Sequence, residues 1–131
     1  MSAARPAILL QPGEGRAYDM GHMRAVFKGD CAESAHAWSI SEWTLEPGCP
    51  GPGAHSHAED DIFFVLEGTV SLQLGERMLE AGPGTFACAP GGMVHDFANR
   101  TGSPARFLNI TTPGGFEDAM PSIVAWFQEN A

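Results

Sequence analysis

Positive charge is scarce in this chain. Of its 131 residues seven are Lys or Arg, against sixteen Asp or Glu, which leaves a formal net charge of −9. The seven, Arg5, Arg16, Arg24, Lys28, Arg77, Arg100 and Arg106, are scattered and form no basic patch. Such a surface repels phosphates, which argues against nucleic acid as a partner and equally against an anionic membrane. Cysteine is also sparse. Cys31, Cys49 and Cys88 are an odd number at unrelated spacings and read as free thiols in a reducing compartment. No Cys-x-x-Cys pair occurs, which excludes a structural zinc ribbon. Long apolar runs are missing too. Ala7-Ile-Leu-Leu10 is too brief for a signal peptide and nothing approaches membrane-spanning length, so the expected location is the cytoplasm. No repeat, low-complexity segment or second domain is visible. The length fits one domain over residues 1–131, able to build a core without staples.

What the chain does have is glycine and proline, sixteen and ten residues, punctuating short strand signals. Residues 7–10 and 23–28 predict strands, separated by the polar run Gly13 to Gly21. Residues 36–45 alternate around Trp38, Ile40, Trp43 and Leu45 and stop at Pro47-Gly48. Cys49 to Ala54 contains two prolines that cannot donate to a ladder, and it reads as a loop. Ile62 to Leu66 is apolar on both faces, as for a strand covered by a barrel and by a neighbour. Thr69 to Leu74 points Val70, Leu72 and Leu74 inward, and Gly75-Glu-Arg77 turns the chain back. Residues 85–89 and 93–98 predict strands on either side of a tight Pro90-Gly-Gly92 turn, and 105–111 predicts the last strand. The period then changes. Pro121 to Asn130 fits a short helix burying Ile123, Val124 and Phe127. The fold class is all-β with a short C-terminal helix.

Three histidines stand out. His55 and His57 are spaced i, i+2, so on an extended strand both leave the same face. Asp61 lies four residues further on and keeps that face if the strand continues; His95, from a second strand, would close the group. Imidazole and carboxylate are the ligands that divalent first-row transition metals take in enzymes. Phe63, Val65 and Phe97 share the ligand face by even spacing; they fill a barrel and are candidates to line a substrate cavity. His22 and His36 read as surface or hydrogen-bonded core residues. Cys88 has no evident base partner and reads as a small hydrophobe. Trp38, Trp43 and Trp126 read as core or dimer contacts.

These residues carry a family resemblance. Gly48 to Gly68, with His55-Ser-His57 and Asp61, resembles the first cupin motif, G-x5-H-x-H-x3,4-E-x6-G. Gly84 to Asn99, with Pro90, Gly92 and His95, matches the second, G-x5-P-x-G-x2-H-x3-N, at every fixed position. Leu108-Asn-Ile110 and Pro113-Gly-Gly-Phe-Glu117 look like the last strand and exit of quercetin dioxygenase-like members. The chain departs from the first motif twice. Gly48 is one residue too far from His55, and Asp61 stands where the glutamate belongs. Glu59 and Asp60 are substitutes, but Glu59 lies only two residues from His57 and Asp60 has the wrong parity, whereas Asp61 keeps the six-residue gap to Gly68.

The resemblance implies a jelly-roll β-barrel with Fe, Mn, Ni, Co or Zn held by His55, His57, Asp61 and His95. It implies a dioxygenase acting on a small apolar enol or phenol, with Asp61 doubling as the catalytic base that takes the substrate proton. A redox-neutral isomerase, cyclase, lyase or decarboxylase would use the ion as a Lewis acid, and a third reading is a ligand-binding module without turnover. It also implies a homodimer formed through N-terminal strands, with Ile62, Phe64 and Leu66 as an apolar outer face. Asn99 is expected to pin a turn.

Overall fold

Period-two burial runs through the longer strands. Alternate residues of β2 (Met23–Gly29), β3 (Ser39–Leu45) and β9 (Ala105–Thr112) are buried, and β4 (Asp60–Glu67) buries Asp61, Phe63 and Val65. The computed structural model describes residues 5–130. The remaining strands are β1 (Arg16–Asp19), β5 (Val70–Leu74), β6 (Arg77–Ala81), β7 (Phe86–Ala89) and β8 (His95–Ala98). They form a six-stranded sheet, ordered β1-β2-β3-β9-β4-β7, and a three-stranded sheet, β6-β5-β8. All pairings are antiparallel. A 3-10 turn (Phe116–Ala119) leads into α1 (Met120–Glu129), which has proline in its first turn. No described helix is long and apolar enough to cross a membrane. This is the expected all-β jelly roll.

The inner faces enclose an aromatic core. Phe63, Phe97 and Phe107 pack with centroids 5.0–6.1 Å apart, and Trp43 stacks on Phe107. Phe27, Phe63 and Phe107 are almost fully buried, and each contributes about 1.5–3 kcal/mol by leaving water. The six-stranded sheet is polar inside at one end, where Ser39, Ser41, Asp61, Asn109 and Thr111 are buried. The candidate site grows from that end. Asn99, also fully buried, pins the 99–103 turn as expected: its amide donates to the carbonyls of Leu45, Glu46 and Ser103, and its oxygen accepts from Thr101.

Four local expectations are corrected. Residues 7–10 form no strand; no described strand pairs with them, and Leu9 is 88% exposed. β1 lies inside the polar 13–21 run, because an exposed edge strand shows no apolar alternation. The third strand begins at Ser39 rather than 36, since Ala35 and His36 adopt left-handed φ values of 53° and 67° that a strand cannot hold. Finally, β7 and β8 lie in different sheets, so Pro90-Gly-Gly92 crosses between sheets and closes no hairpin. β6 is exposed at four of five positions and left no periodic signal.

Candidate metal centre

His55 and His57 reach the site from a loop rather than from a strand. An isolated bridge pairs His55 with His95: His55 N–H donates to His95 O at 3.0 Å, and His95 N–H to His55 O at 2.8 Å. After His57 the chain bends at Ala58 and Glu59 before β4 starts at Asp60. The single strand expected to carry His55, His57 and Asp61 is therefore interrupted, and the parity argument does not survive the bend. The Pro90 turn holds the bend in place. Gly92 N–H donates to His57 O at 2.8 Å, and Gly91 N–H to Asp60 Oδ1 at 2.8 Å. A Cβ on Gly91 would stand 2.1 Å from Ala58 O, so only glycine permits the two segments this close.

The four side chains converge all the same. One ligand atom each from His55, His57, Asp61 and His95 lies within 4.8 Å of the others. The three rings are set by one device. Nδ1 of His55 lies 2.7 Å from Gly53 O, that of His57 3.0 Å from Glu59 O, and that of His95 2.9 Å from Met93 O. A carbonyl only accepts, so each Nδ1 carries the proton and donates. A neutral ring then offers Nε2 as a lone pair for a metal. His57 Nε2 is buried without a hydrogen-bond partner. An unmatched buried polar atom costs about 1–3 kcal/mol, and a cation at the centre would satisfy it.

Asp61 is buried, with Oδ2 at 2.9 Å from His95 Nε2 and 3.5 Å from His57 Nε2. The shorter carboxylate does reach. Glu59 instead approaches the Nδ1 side of His57, and Asp60 is exposed and bound to Gly91, so neither joins the cluster. Burial pushes the His95 pKa down, but the Asp61 hydrogen bond, the Met93 carbonyl and the charges of Asp61 and Asp96 outweigh it. The net shift is upward. Three imidazoles and one carboxylate fit a divalent transition ion, and the chain would hold one here through His55, His57, Asp61 and His95.

A cavity of about 260 Å³ opens directly onto this cluster. His55, Asp61 and Asn109 form its polar end; Met23, Trp43 and Phe97 form its walls. Phe116 and three residues of α1, Ile123, Trp126 and Phe127, cover it. Of the three residues expected to line it, Phe97 does so, while Phe63 and Val65 lie deeper, within the core. Trp43 and Trp126, read from sequence as core or dimer contacts, both face the cavity. Asn109 lies in the expected last strand but went unnoticed as a site residue, because its contact with Asp61 comes from strand pairing and not from local spacing. His22 and His36 lie elsewhere, the first exposed near Glu46 and the second 2.7 Å from Cys31 Sγ. The three cysteines are free.

Comparison with known proteins agrees with this geometry. No match was found among curated proteins. TT1209 from Thermus thermophilus is 29% identical, with a TM-score of 0.64, over 73% of this chain and 88% of that one. The polyketide cyclase RemF from Streptomyces resistomycificus is 24% identical, with a TM-score of 0.62, over 86% of this chain and 78% of that one. A sugar phosphate isomerase from Silicibacter pomeroyi is 26% identical, with a TM-score of 0.60, over 71% of this chain and 60% of that one. The family model described as "Cupin domain" matches residues 41–111, which include all four candidate ligands and the whole three-stranded sheet, and the chain belongs to that family.

Proposed function

We propose that the protein is a metal-dependent cupin enzyme, of dioxygenase type, acting on a small apolar substrate that carries an enol or phenol oxygen. The observation that carries this reading is the cavity: it abuts the ligand cluster, its lining is overwhelmingly apolar, and it contains neither Lys nor Arg. Its volume is just under the range of about 300–1,000 Å³ usual for ligand sites, which suits a small molecule. A phosphate or dicarboxylate would find no cation among these residues, so the chemistry of a sugar phosphate isomerase has no support here. The RemF likeness shows the fold alone. The resemblance of residues 108–117 to quercetin dioxygenase-like members favours an oxygen-using reaction.

The roles of the side chains follow from their placement. A bound divalent ion would supply Lewis acidity and, if redox-active, dioxygen activation. Trp43 donates its Nε1–H to Ser41 Oγ at 2.9 Å and so offers the cavity a ring rather than a polar handle. Phe97 and Trp43 would grip a flat ring, directing its single polar oxygen toward the only polar end of the cavity. Phe116, Ile123 and Phe127 exclude water above it. The test is to load the apo-protein separately with Fe(II), Mn(II), Ni(II), Co(II) and Zn(II), then follow O₂ uptake and product with flavonols and 1,3-diketones. Oxygen consumption with a redox-active ion is expected. Turnover without oxygen, or full activity with Zn(II), would instead establish redox-neutral chemistry, and binding without turnover would establish a ligand-holding module.

A further inference from the structure

We infer that Asn109 is a positioning residue that commits Asp61 to the metal through one oxygen and withholds the other. This rests on the metal centre proposed above. Asn109 sits on β9, opposite Phe63 of β4, with its side chain inside the sheet and 5% exposed. Its Nδ2 donates to Asp61 Oδ1 at 2.5 Å and to Ile62 O at 3.1 Å. Both partners are pure acceptors, so the amide orientation is fixed by chemistry: the flipped form would set three acceptors against one another. Among the described residues no other side chain bonds Oδ1, while Oδ2 faces the Nε2 atoms of His95 and His57.

The consequence is specific to this chain. The family motif has a glutamate where Asp61 stands, and an arm one methylene shorter cannot swing between a ligand position and a substrate position as freely. Asn109 removes what freedom remains. It holds Oδ1 away from the ion, which makes Asp61 a single-oxygen ligand. It also takes up one of the two lone pairs on the oxygen that would otherwise be free to accept a proton from substrate. With each Nδ1 donating to a carbonyl and each Nε2 turned to the centre, the cavity retains no unengaged side-chain base.

The experiment is a Co(II) titration of apo-protein, read by visible absorption, on wild type and Asn109→Leu, with the melting temperature of each apo form in parallel. Leucine keeps the volume and removes both donors. The expected result is a 10–100-fold loss of Co(II) affinity, the range for losing a group that orients a ligand, with a change in d–d band intensity as Oδ1 becomes free to ligate. Asn109→Ser, which restores a donor, should recover part of both. A lower apo melting temperature with wild-type affinity and spectrum would overturn the proposal, because Asn109 would then be only a tie between β4 and β9. If Asn109→Leu does not fold, Asn109→Ala is read in the same way and the same outcomes decide. Wild type that binds no Co(II) would overturn the metal centre and this inference together, whereas wild-type binding with unaltered variants overturns this inference alone.

Discussion

His57 is the residue at which the apo-protein sacrifices stability for a ligand. Its Nε2 is buried and unmatched, and an unmatched buried polar atom costs about 1–3 kcal/mol. His57→Leu should therefore leave the apo melting temperature at least as high as that of wild type while abolishing stabilisation by metal. For wild type, a metal at a hundredfold excess over Kd adds about 2.7 kcal/mol, on the order of 10 °C for a chain of this size; scanning calorimetry with and without chelator checks both statements. A pH dependence follows from the same ligands. Imidazoles bind metal only when unprotonated, so affinity falls as pH drops. His95, whose pKa is raised, moves the competition to higher pH: a proton between His95 and Asp61 is present below the raised value and must leave as the ion enters. In the apo form the sign is opposite. The stabilisation from that pair is full below the unfolded imidazole pKa and is lost as pH rises through the folded one. Isothermal titration in buffers of different ionisation enthalpy, from pH 5.5 to 8, should show proton release and tighter binding toward the alkaline end. The ligands were legible in the sequence because two motifs stand in order along it, one with His55, His57 and Asp61 and one with Pro90, Gly92 and His95. Asn109 was not, since its role exists only through the β4–β9 register.

At the level of elements, the sequence identified the right residues by a partly mistaken local route. Parity along one strand placed His55, His57 and Asp61 together, yet a bend at Ala58 and Glu59 intervenes, and the backbone bridge to His95 does the aligning. Elements with a buried face were legible: β5, β9 and α1 lie where alternation or helical spacing put them. Elements without one, β1 and β6, were not, because an exposed strand needs no periodic apolar residues. Of the cavity's apolar walls, Phe97 alone was expected from sequence. Its other walls come from β2, β3 and α1, far apart in the chain, and no local spacing links Met23 to Trp43 or to Phe127. The α1 cover has a testable share in binding. Trp126 is 55% exposed and still reaches the cavity, so Trp126→Ala should change stability by no more than about 0.5 kcal/mol. It should weaken an aromatic ligand by about 0.5–1.5 kcal/mol, roughly 2- to 12-fold, if the two rings touch. Fluorescence titration with a flavonol, beside thermal denaturation, separates the two effects. Equal binding by variant and wild type would remove Trp126 from the site.

For the whole molecule, the outer face of the six-stranded sheet is the feature that one protomer leaves unexplained. Phe64 and Phe86 are register partners on β4 and β7, 40% and 65% exposed, and Leu66 continues the patch at 38%. β7 is also the edge of its sheet, so its outward backbone groups have no strand to pair with among the described residues. Ile8 and Leu10 add partly exposed apolar surface beside the fully open Leu9 on a segment that pairs with no strand. A net charge of −9 opposes casual self-association, so an apolar face kept on such a chain calls for a specific cover. A second copy of the chain is the cover proposed here, with the apolar faces packed together and the 7–10 segment adding to the partner's sheet. Isologous contact of this kind repeats each residue across a two-fold axis, so one substitution acts twice. Phe86→Asp would set two carboxylates into the contact, and Leu9→Asp would charge the added segment. The expected wild-type mass by sedimentation equilibrium is twice that of one chain, with Phe86→Asp monomeric and unaltered in metal binding, since Phe86 points away from the ligands. A wild type that sediments as a single chain at tens of micromolar would defeat the dimer, and the exposed phenylalanines would then need another occupant.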